Sequence, residues 1–296
     1  LIGENNTHYQ LVLIARRPKH LILNFGILQC WVIWDIILMS LLYECGAGLV
    51  PAYFAKANFG MDAYLFSSGP SLLKLNTEIF DDKSVYKVGI NTTYPKIKPD
   101  LWIGMDYPKC FSAGLWSEPI PKILRNSYSR HSINSTPVRD FPMVYFAEVE
   151  KVALPWHETF MRRSHQTKFI WTNNTFTTTL HILIWMGFKR IHLVGSDFGS
   201  TGNNYFDNSV EARPFNHDKT SSKGPISQKQ QKLNKRLYLQ QLDYLRNFNA
   251  ECEQRDVKIV SCSYHSPANV FLDYLDPEVA IERSELRQKE KVKVNF

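Results

Sequence analysis

The stretch DAYLFSSGPSLLKL, residues 62–75, passes from one apolar run through Ser-Gly-Pro-Ser into another. The first run, rich in aromatics and closed by Gly-Pro, reads as a buried strand over 62–68. The second, continued as LLKLNTEIF over 72–80, reads as a helix. A strand entering a helix through Gly69, Pro70 and Ser71 has two readings. Either Gly and Pro only punctuate the chain, or Gly69 lets backbone approach a ligand. In the second case Pro70 and Ser71 open a helix whose free N–H groups face an anion, phosphate above all.

The same alternation continues downstream. SVYKVGIN (84–91) reads as a strand ending at Asn91, and KPDLWIGMD (98–106) as one entered through Pro99 and ending at Asp106. FPMVYFAEV (141–149) is a further strand, and TFTTTLHILIWMGF (175–188) a helix capped by Gly187. RIHLVGSDF (190–198) then ends in Gly-Ser-Asp, a long helical pattern covers 231–256, and VKIVSCS (257–263) is the last strand. Strands alternating with helices predict an α/β fold, a mostly parallel sheet with helices on both faces. Ligands of such sheets bind at the carboxyl ends of the strands. Ser68, Gly69, Pro70, Ser71, Asn91, Asp106, Asp197, Ser263 and Ser266 all follow predicted strands, so one edge should gather them.

Residues 199–230, GSTGNNYFDNSVEARPFNHDKTSSKGPISQKQ, break the pattern. They are polar yet carry Tyr205, Phe206, Phe215 and His217. Loops beyond about 12–15 residues in a compact domain are usually functional or disordered. Leaving directly from the Asp197 strand end, this one reads as an active-site lid.

Composition narrows the class. A chain of 296 residues that is 44% hydrophobic and 13% aromatic buries a large core, which excludes bulk disorder. The net charge of +7 favours anionic partners. Lys219, Lys223, Lys229, Lys232 and Lys235 cluster in and just after the lid, and no nucleic-acid-binding motif accompanies them, so nucleic acid is not expected as a partner. Five scattered cysteines without a CxxC pair read as reduced thiols of a cytoplasmic protein. The chain begins at Leu1 rather than Met, so the natural start is expected upstream. Residues 21–43, LILNFGILQCWVIWDIILMSLLY, reach the roughly 20 residues of a membrane span. Asn24, Gln29 and Asp35 interrupt them, and a central Asp costs about 2.5–3.5 kcal/mol on insertion. A helix buried against the core or a partner is the reading. Peripheral membrane contact and a homo-oligomer stay open. The expected organisation is an apolar helical segment (1–58), a nucleotide-binding α/β domain (59–280) and a charged tail or terminal helix (281–296).

SSGPSLLKL, GINTTYPKIKPDLWIGMD and NTFTTTLHILIWMGFKRIHLVGSDF, taken in order, resemble the bacterial glycosyltransferases that use CMP-activated nonulosonic acids. These are the lipooligosaccharide sialyltransferases and the motility-associated flagellin glycosyltransferases. The Gly-Pro-Ser and Pro-Asp…Asp layout is also similar to the archaeal 6-hydroxymethylpterin diphosphokinases. The resemblance covers residues 60–275. It implies a Rossmann-like, GT-A-like variant fold and transfer of a sialic or other nonulosonic acid from a CMP-sugar donor to a glycan or protein hydroxyl. It further implies that Gly69, Pro70 and Ser71 meet the nucleotide phosphate and that Asn91 contacts the nucleotide. Asn174 and Thr175 would open a helix at phosphate or ribose, with Asp197 closing the strand end. Ser266 and Asn269 lie where the base is held. Tyr205 resembles a lid tyrosine that hydrogen-bonds the leaving phosphate, and His217 is the candidate general base. Asp106 stands where some sialyltransferases have Asn.

Two positions depart from the family. Its donor-neutralising Arg reads here as Thr172, with Lys168 the nearest cation, and His217 is not at the family's spacing from the following helix. No metal cofactor is required for this chemistry. Under the diphosphokinase alternative, ATP and Mg²⁺ take part and Asp106 and Asp197 are the candidate ligands. A nucleotide-binding protein without catalysis is the third reading.

Overall fold

In the computed structural model of the chain, residues 61–81, 84–152, 168–172, 174–199 and 228–294 are described. The apolar segment 1–58, Tyr205, His217 and nearly all of 199–230 lie outside them. The strands are β1 (Asp62–Phe66), β2 (Tyr86–Ile90), β3 (Leu101–Gly104), β4 (Lys122–Arg125), β5 (Ser132–Ile133), β6 (Thr136–Pro137), β7 (Val144–Lys151), β8 (Lys168–Trp171), β9 (Arg190–Val194), β10 (Lys258–Ser261) and β11 (Asp273–Tyr274). Among the described residues three α-helices accompany them: α1 (Thr175–Trp185), α2 (Gln228–Glu253) and α3 (Pro277–Val294).

Nine strands form one sheet in the order β11-β10-β9-β1-β2-β3-β4-β7-β8, and every pairing in it is parallel. The chain builds outward from β1 through β2 to β8, then returns to lay β9 on the other side of β1. The reversal makes β1/β9 the topological switch point, where open α/β sheets leave a crevice at the carboxyl ends. β5 and β6 form a separate antiparallel pair.

Strand alternation distributes the core. Ala63 and Leu65 of β1 join Phe176, Leu180 and Leu183 of α1 and Tyr244, Leu245 and Phe248 of α2. Tyr64 and Phe66 point to the opposite face and pack with Leu72, Phe80, Ala280 and Ile281. Further along that face Trp102 and Leu124 pack with Phe111, Leu115 and Trp116. Helix α1 ends as expected at Gly187, φ 93°, where Gly187 N–H donates to Ile184 O and Phe188 N–H to Leu183 O. The paired bonds close the last turn, and glycine takes the left-handed conformation without a Cβ penalty.

Several expectations are corrected. LLKLNTEIF is not one helix but two short 3₁₀ turns, Pro70–Lys74 and Thr77–Asp81. Leu75 is extended, and the Asn76 side chain accepts from Glu78 N–H at 3.1 Å, so a local side-chain bond restarts the turn. The α2 helix begins at Gln228, which takes the last three residues of the expected lid. Beyond Pro277 the chain is helical and one side of that helix is buried: Ser284 is 1% exposed. No described helix is long and apolar enough to cross a membrane.

Asp62, at the start of the central strand, anchors α3. Its Oδ2 accepts from Ser284 Oγ at 2.5 Å and from Arg287 Nη2, and faces His192 Nε2 at 3.3 Å. The Tyr64 hydroxyl meets Ser284 Oγ at 2.8 Å, and its ring stacks on His192. Burial alone would raise the Asp62 carboxyl, but His192, Ser284 and Arg287 outweigh it and hold the group well below the usual carboxylate range. Burial keeps the His192 imidazole below its ordinary value against the pull of Asp62. Cys262, 3.9 Å from His192 Nδ1, is pushed up to about 12 by burial. Cys262, His192 and Asp62 follow the order of a nucleophilic triad, but all three are buried and the thiol stays protonated, so they act as a strut.

Asp62→Asn leaves Arg287 without its charge partner and should lower stability by about 3 kcal/mol at neutral pH. Because the folded Asp62 carboxyl titrates below its unfolded value of about 3.9, its contribution is complete above that pH and is lost as pH falls below it. Urea denaturation of both proteins should show the gap at pH 7 and its narrowing at pH 3.

Candidate functional site

The strand ends that flank the switch point touch one another. Ser67 N–H donates to Val194 O at 2.8 Å and Gly69 N–H to Gly195 O at 2.9 Å, so the segments after β1 and β9 continue the pairing beyond the strands. A Cβ on Gly69 would lie 2.3 Å from Gly195 O and 2.5 Å from Asp197 Oδ2. On Gly195, whose φ is 70°, it would lie 2.4 Å from Ser67 O. The close approach that Gly69 permits is therefore to this chain's own backbone and carboxylate. Ser71 N–H donates to Asp197 Oδ2 at 2.7 Å, and Leu72 N–H to Gly69 O. The Gly69-Pro70-Ser71 turn does hold an anion, but the anion is Asp197, and the five-residue 3₁₀ turn after it offers no free helix end.

Asp197 is 2% exposed, and its second oxygen, Oδ1, is buried with no hydrogen-bond partner. Its neighbours are tied down. Ser196 N–H donates to Ser263 Oγ at 3.0 Å and Ser266 Oγ donates to Ser196 O at 2.7 Å. Asn269 Nδ2 donates to the carbonyls of Ser263 and Tyr264 at 3.1 and 2.8 Å, which leaves its Oδ1 buried and unpartnered. Ser266 is thus spent on joining β9 to β10, whereas Asn269 keeps one acceptor. Past β2, Asn91 adopts φ 52°, a conformation that Asn tolerates, and its carbonyl accepts from Trp102 Nε1. Its Oδ1 is a third buried acceptor without a partner.

The amino end of α1 reaches the same edge. Asn174 Oδ1 caps it by accepting from Phe176 N–H at 2.7 Å, and Thr175 Oγ1 accepts from Met105 N–H next to Asp106. Phe176 meets Phe198 edge to face at 5.5 Å, which binds this helix start to the segment after β9. Gly69, Ser71, Asn91, Asn174, Thr175, Asp197, Ser266 and Asn269 thus lie along one carboxyl edge, with Pro70 in the turn and Asp106 beyond β3. Asp106 and Asp197 join no cluster of three metal-ligating side chains among the described residues.

Lys168 is the first residue of β8 and so lies at the opposite edge. It lies away from Thr172, whose Oγ1 pairs with Thr177 Oγ1 at 2.7 Å. A half-buried cation at this edge, Arg125 at the end of β4, escaped the sequence reading because KILR was not recognised as a strand. The Arg-Asn-Ser that follows it was the available signal.

No family model and no curated protein matches the chain. Among solved structures, the sialyltransferase CstII of Campylobacter jejuni in complex with a substrate analogue, cytidine-5'-monophosphate, superposes with a TM-score of 0.42 at 15% identity, covering 75% of this chain and 87% of that one. The same enzyme in complex with CMP-3FNeuAc gives 0.41 at 14%, over 73% and 86%. A structure of CST-II with trisaccharide acceptor and CMP gives 0.39 at 15%, over 72% and 85%. No residue role is carried across from them.

Gly69→Ala forces a methyl against Gly195 O and should cost roughly 1–3 kcal/mol, since that carbonyl is backbone and Asp197 Oδ2, the other neighbour, is held by Ser71 N–H. Thermal denaturation measures it, and an unchanged melting temperature would mean that the β1 and β9 ends are not held together.

Proposed function

We propose that the chain is a glycosyltransferase that takes a nonulosonic acid from a CMP-activated donor and delivers it to a hydroxyl of a glycan or protein. The observation that carries this reading is the set of unpartnered buried acceptors Asn91 Oδ1, Asp197 Oδ1 and Asn269 Oδ1 around the switch point. Buried polar groups need partners, so such a set favours a ligand rich in donors. Ribose supplies two hydroxyls and cytosine an exocyclic amine. Uracil would turn a carbonyl toward an acceptor instead. The order of motifs along residues 60–275 supports the same reading.

In the reaction, the bond between the anomeric carbon and the CMP phosphate oxygen breaks as the acceptor hydroxyl adds to that carbon. The phosphate leaves with the bonding electrons. The start of α1, at Asn174 and Thr175, suits that charge through its first-turn N–H groups and dipole. Tyr205 donates to the phosphate, and His217, neutral, takes the acceptor's proton.

Calorimetry should show CMP binding roughly tenfold to a hundredfold more tightly than UMP, the worth of one mispaired buried group. No nucleotide binding at millimolar concentration would overturn the proposal. ATP binding that depends on Mg²⁺ would favour the diphosphokinase reading, with Asp197 Oδ1 and Asp106 at the metal. CMP binding without transfer to any acceptor would make the chain a binding protein.

The two lid residues separate binding from chemistry. Tyr205→Phe removes a bond to a charged group worth about 1.5–3 kcal/mol, so transfer should slow roughly tenfold or more while the fold is kept. His217→Ala should abolish transfer and leave the calorimetric affinity for CMP unchanged. Near-normal transfer by that variant removes His217 from the mechanism.

A further inference from the structure

Arg125 is the last residue of β4 and half-buried. Its guanidinium carbon lies 3.7 Å from the ring centroid of Trp171, the last residue of β8, and 5.2 Å from that of Tyr128. One face of the guanidinium is therefore covered by an indole, and its edge, which the Tyr128 hydroxyl meets in part, is what remains to recognise a ligand. Its Nε is buried without a hydrogen-bond partner, and it forms no ion pair among the described residues. Glu148 Oε1 accepts from Asn126 Nδ2, and Asp106 and Arg125 act in opposite directions on the Tyr128 hydroxyl, which burial raises. His131 packs edge to face on Tyr128 at 5.2 Å, and its Nδ1 is buried and unpartnered too.

A cation that has left water without a carboxylate partner is costly unless an anion completes it. Stacking on Trp171 compensates only in part. We propose that Arg125 is the anchor of a second subsite, which binds a carboxylate carried by a sugar acid through the edge of its guanidinium. The planar fork of Arg matches a carboxylate in two parallel bonds, and the indole face holds the fork in one plane. Position argues for the sugar rather than the nucleotide. β4 stands three strands from β1, roughly 14 Å at the usual strand spacing. The subsite therefore lies beyond the switch-point crevice on the same edge, where the transferred or accepting residue of a bound substrate extends. This assignment rests on the glycosyltransferase reading for its sugar, but the anion site itself does not.

The Nε–H resonance of Arg125 in ¹H–¹⁵N spectra of the full chain, assigned by its loss in Arg125→Lys, reports on the site directly. Titration with sodium acetate should move it along a saturating curve, with sodium chloride at equal ionic strength moving it little. Methyl glucuronide should act like acetate, and methyl glucoside should not. In Arg125→Lys, the protection of the fold against heat by acetate should weaken roughly tenfold in apparent affinity, because an ammonium cannot form the paired bonds. A resonance that ignores acetate overturns the proposal, as does tighter binding of inorganic phosphate than of acetate, which would assign the site to a phosphate. An Arg125→Lys protein that loses melting temperature but keeps its acetate dependence makes Arg125 a packing residue only. CMP calorimetry on the unaltered chain reads the crevice alone, so either reading can fail while the other stands.

Discussion

Where β1 and β9 end side by side, Gly69 N–H donates to Gly195 O at 2.9 Å, and neither residue has room for a Cβ. The arrangement follows from the sheet. β9 is laid down beside β1 after the chain has run out to β8, so two strands distant in sequence must bring their exits together at one point. Two glycines let the exits touch, and the left-handed conformation of Gly195 turns the β9 exit so that Asp197 reaches back over the β1 exit. One carboxylate oxygen then spends itself on the turn, and the other is left buried without a partner. The acceptor character of the edge is a consequence of this packing.

The same strands carry the opposite solution on the face under α3. There one oxygen of Asp62, Oδ2, takes Ser284 and Arg287 and faces His192. Comparison of the two aspartates separates strut from site. Asp62 has donors from several elements and closes a network in which a reactive-looking thiol and imidazole are silent. Asp197 has one donor for two buried oxygens. Residue type would rank Cys262, His192 and Asp62 above Asn91, Asp197 and Asn269 as functional candidates, and satisfaction of hydrogen bonds reverses the ranking.

Much of the architecture was legible because β1, β2, β3, β7, β9 and β10 are apolar runs closed by turn residues, and because strand ends of a parallel sheet must share an edge. Strand β4 was hidden by Lys122, which a sequence reading assigns to the surface. In the fold it is 0% exposed, its Nζ donating to the carbonyls of Glu118, Ile120 and Pro142, and burial lowers its pKa to about 8. Strand β8 was missed as well, and neither its four residues nor its opening lysine sets it apart from β10, which was legible. Losing these two strands also hid Arg125 and Trp171. The glycine turn is ambiguous for a different reason: a Gly-Pro-Ser opening looks the same whether the anion it receives is a ligand or a side chain 126 positions away.

The edge is consequently divided by charge. Around β9, β1 and β2 it offers oxygen acceptors, one of them on a carboxylate, and would repel a bare phosphate. At β4 and β8 it offers a cation whose stacking on Trp171 fixes its plane. Between them the start of α1 carries the positive end of a helix dipole, reached through Asn174 and Thr175. A ligand that lies along these strand ends must turn hydroxyl and amino groups to one end and negative charge to the middle and the other. A nucleoside monophosphate joined to an acidic sugar has its donors and charges in that order. A nucleoside triphosphate runs in the same order, with base and ribose donors at one end and charge toward the other. What the order disfavours is a ligand that is charge alone, since orthophosphate or pyrophosphate would leave the acceptors Asn91 Oδ1, Asp197 Oδ1 and Asn269 Oδ1 unpaired.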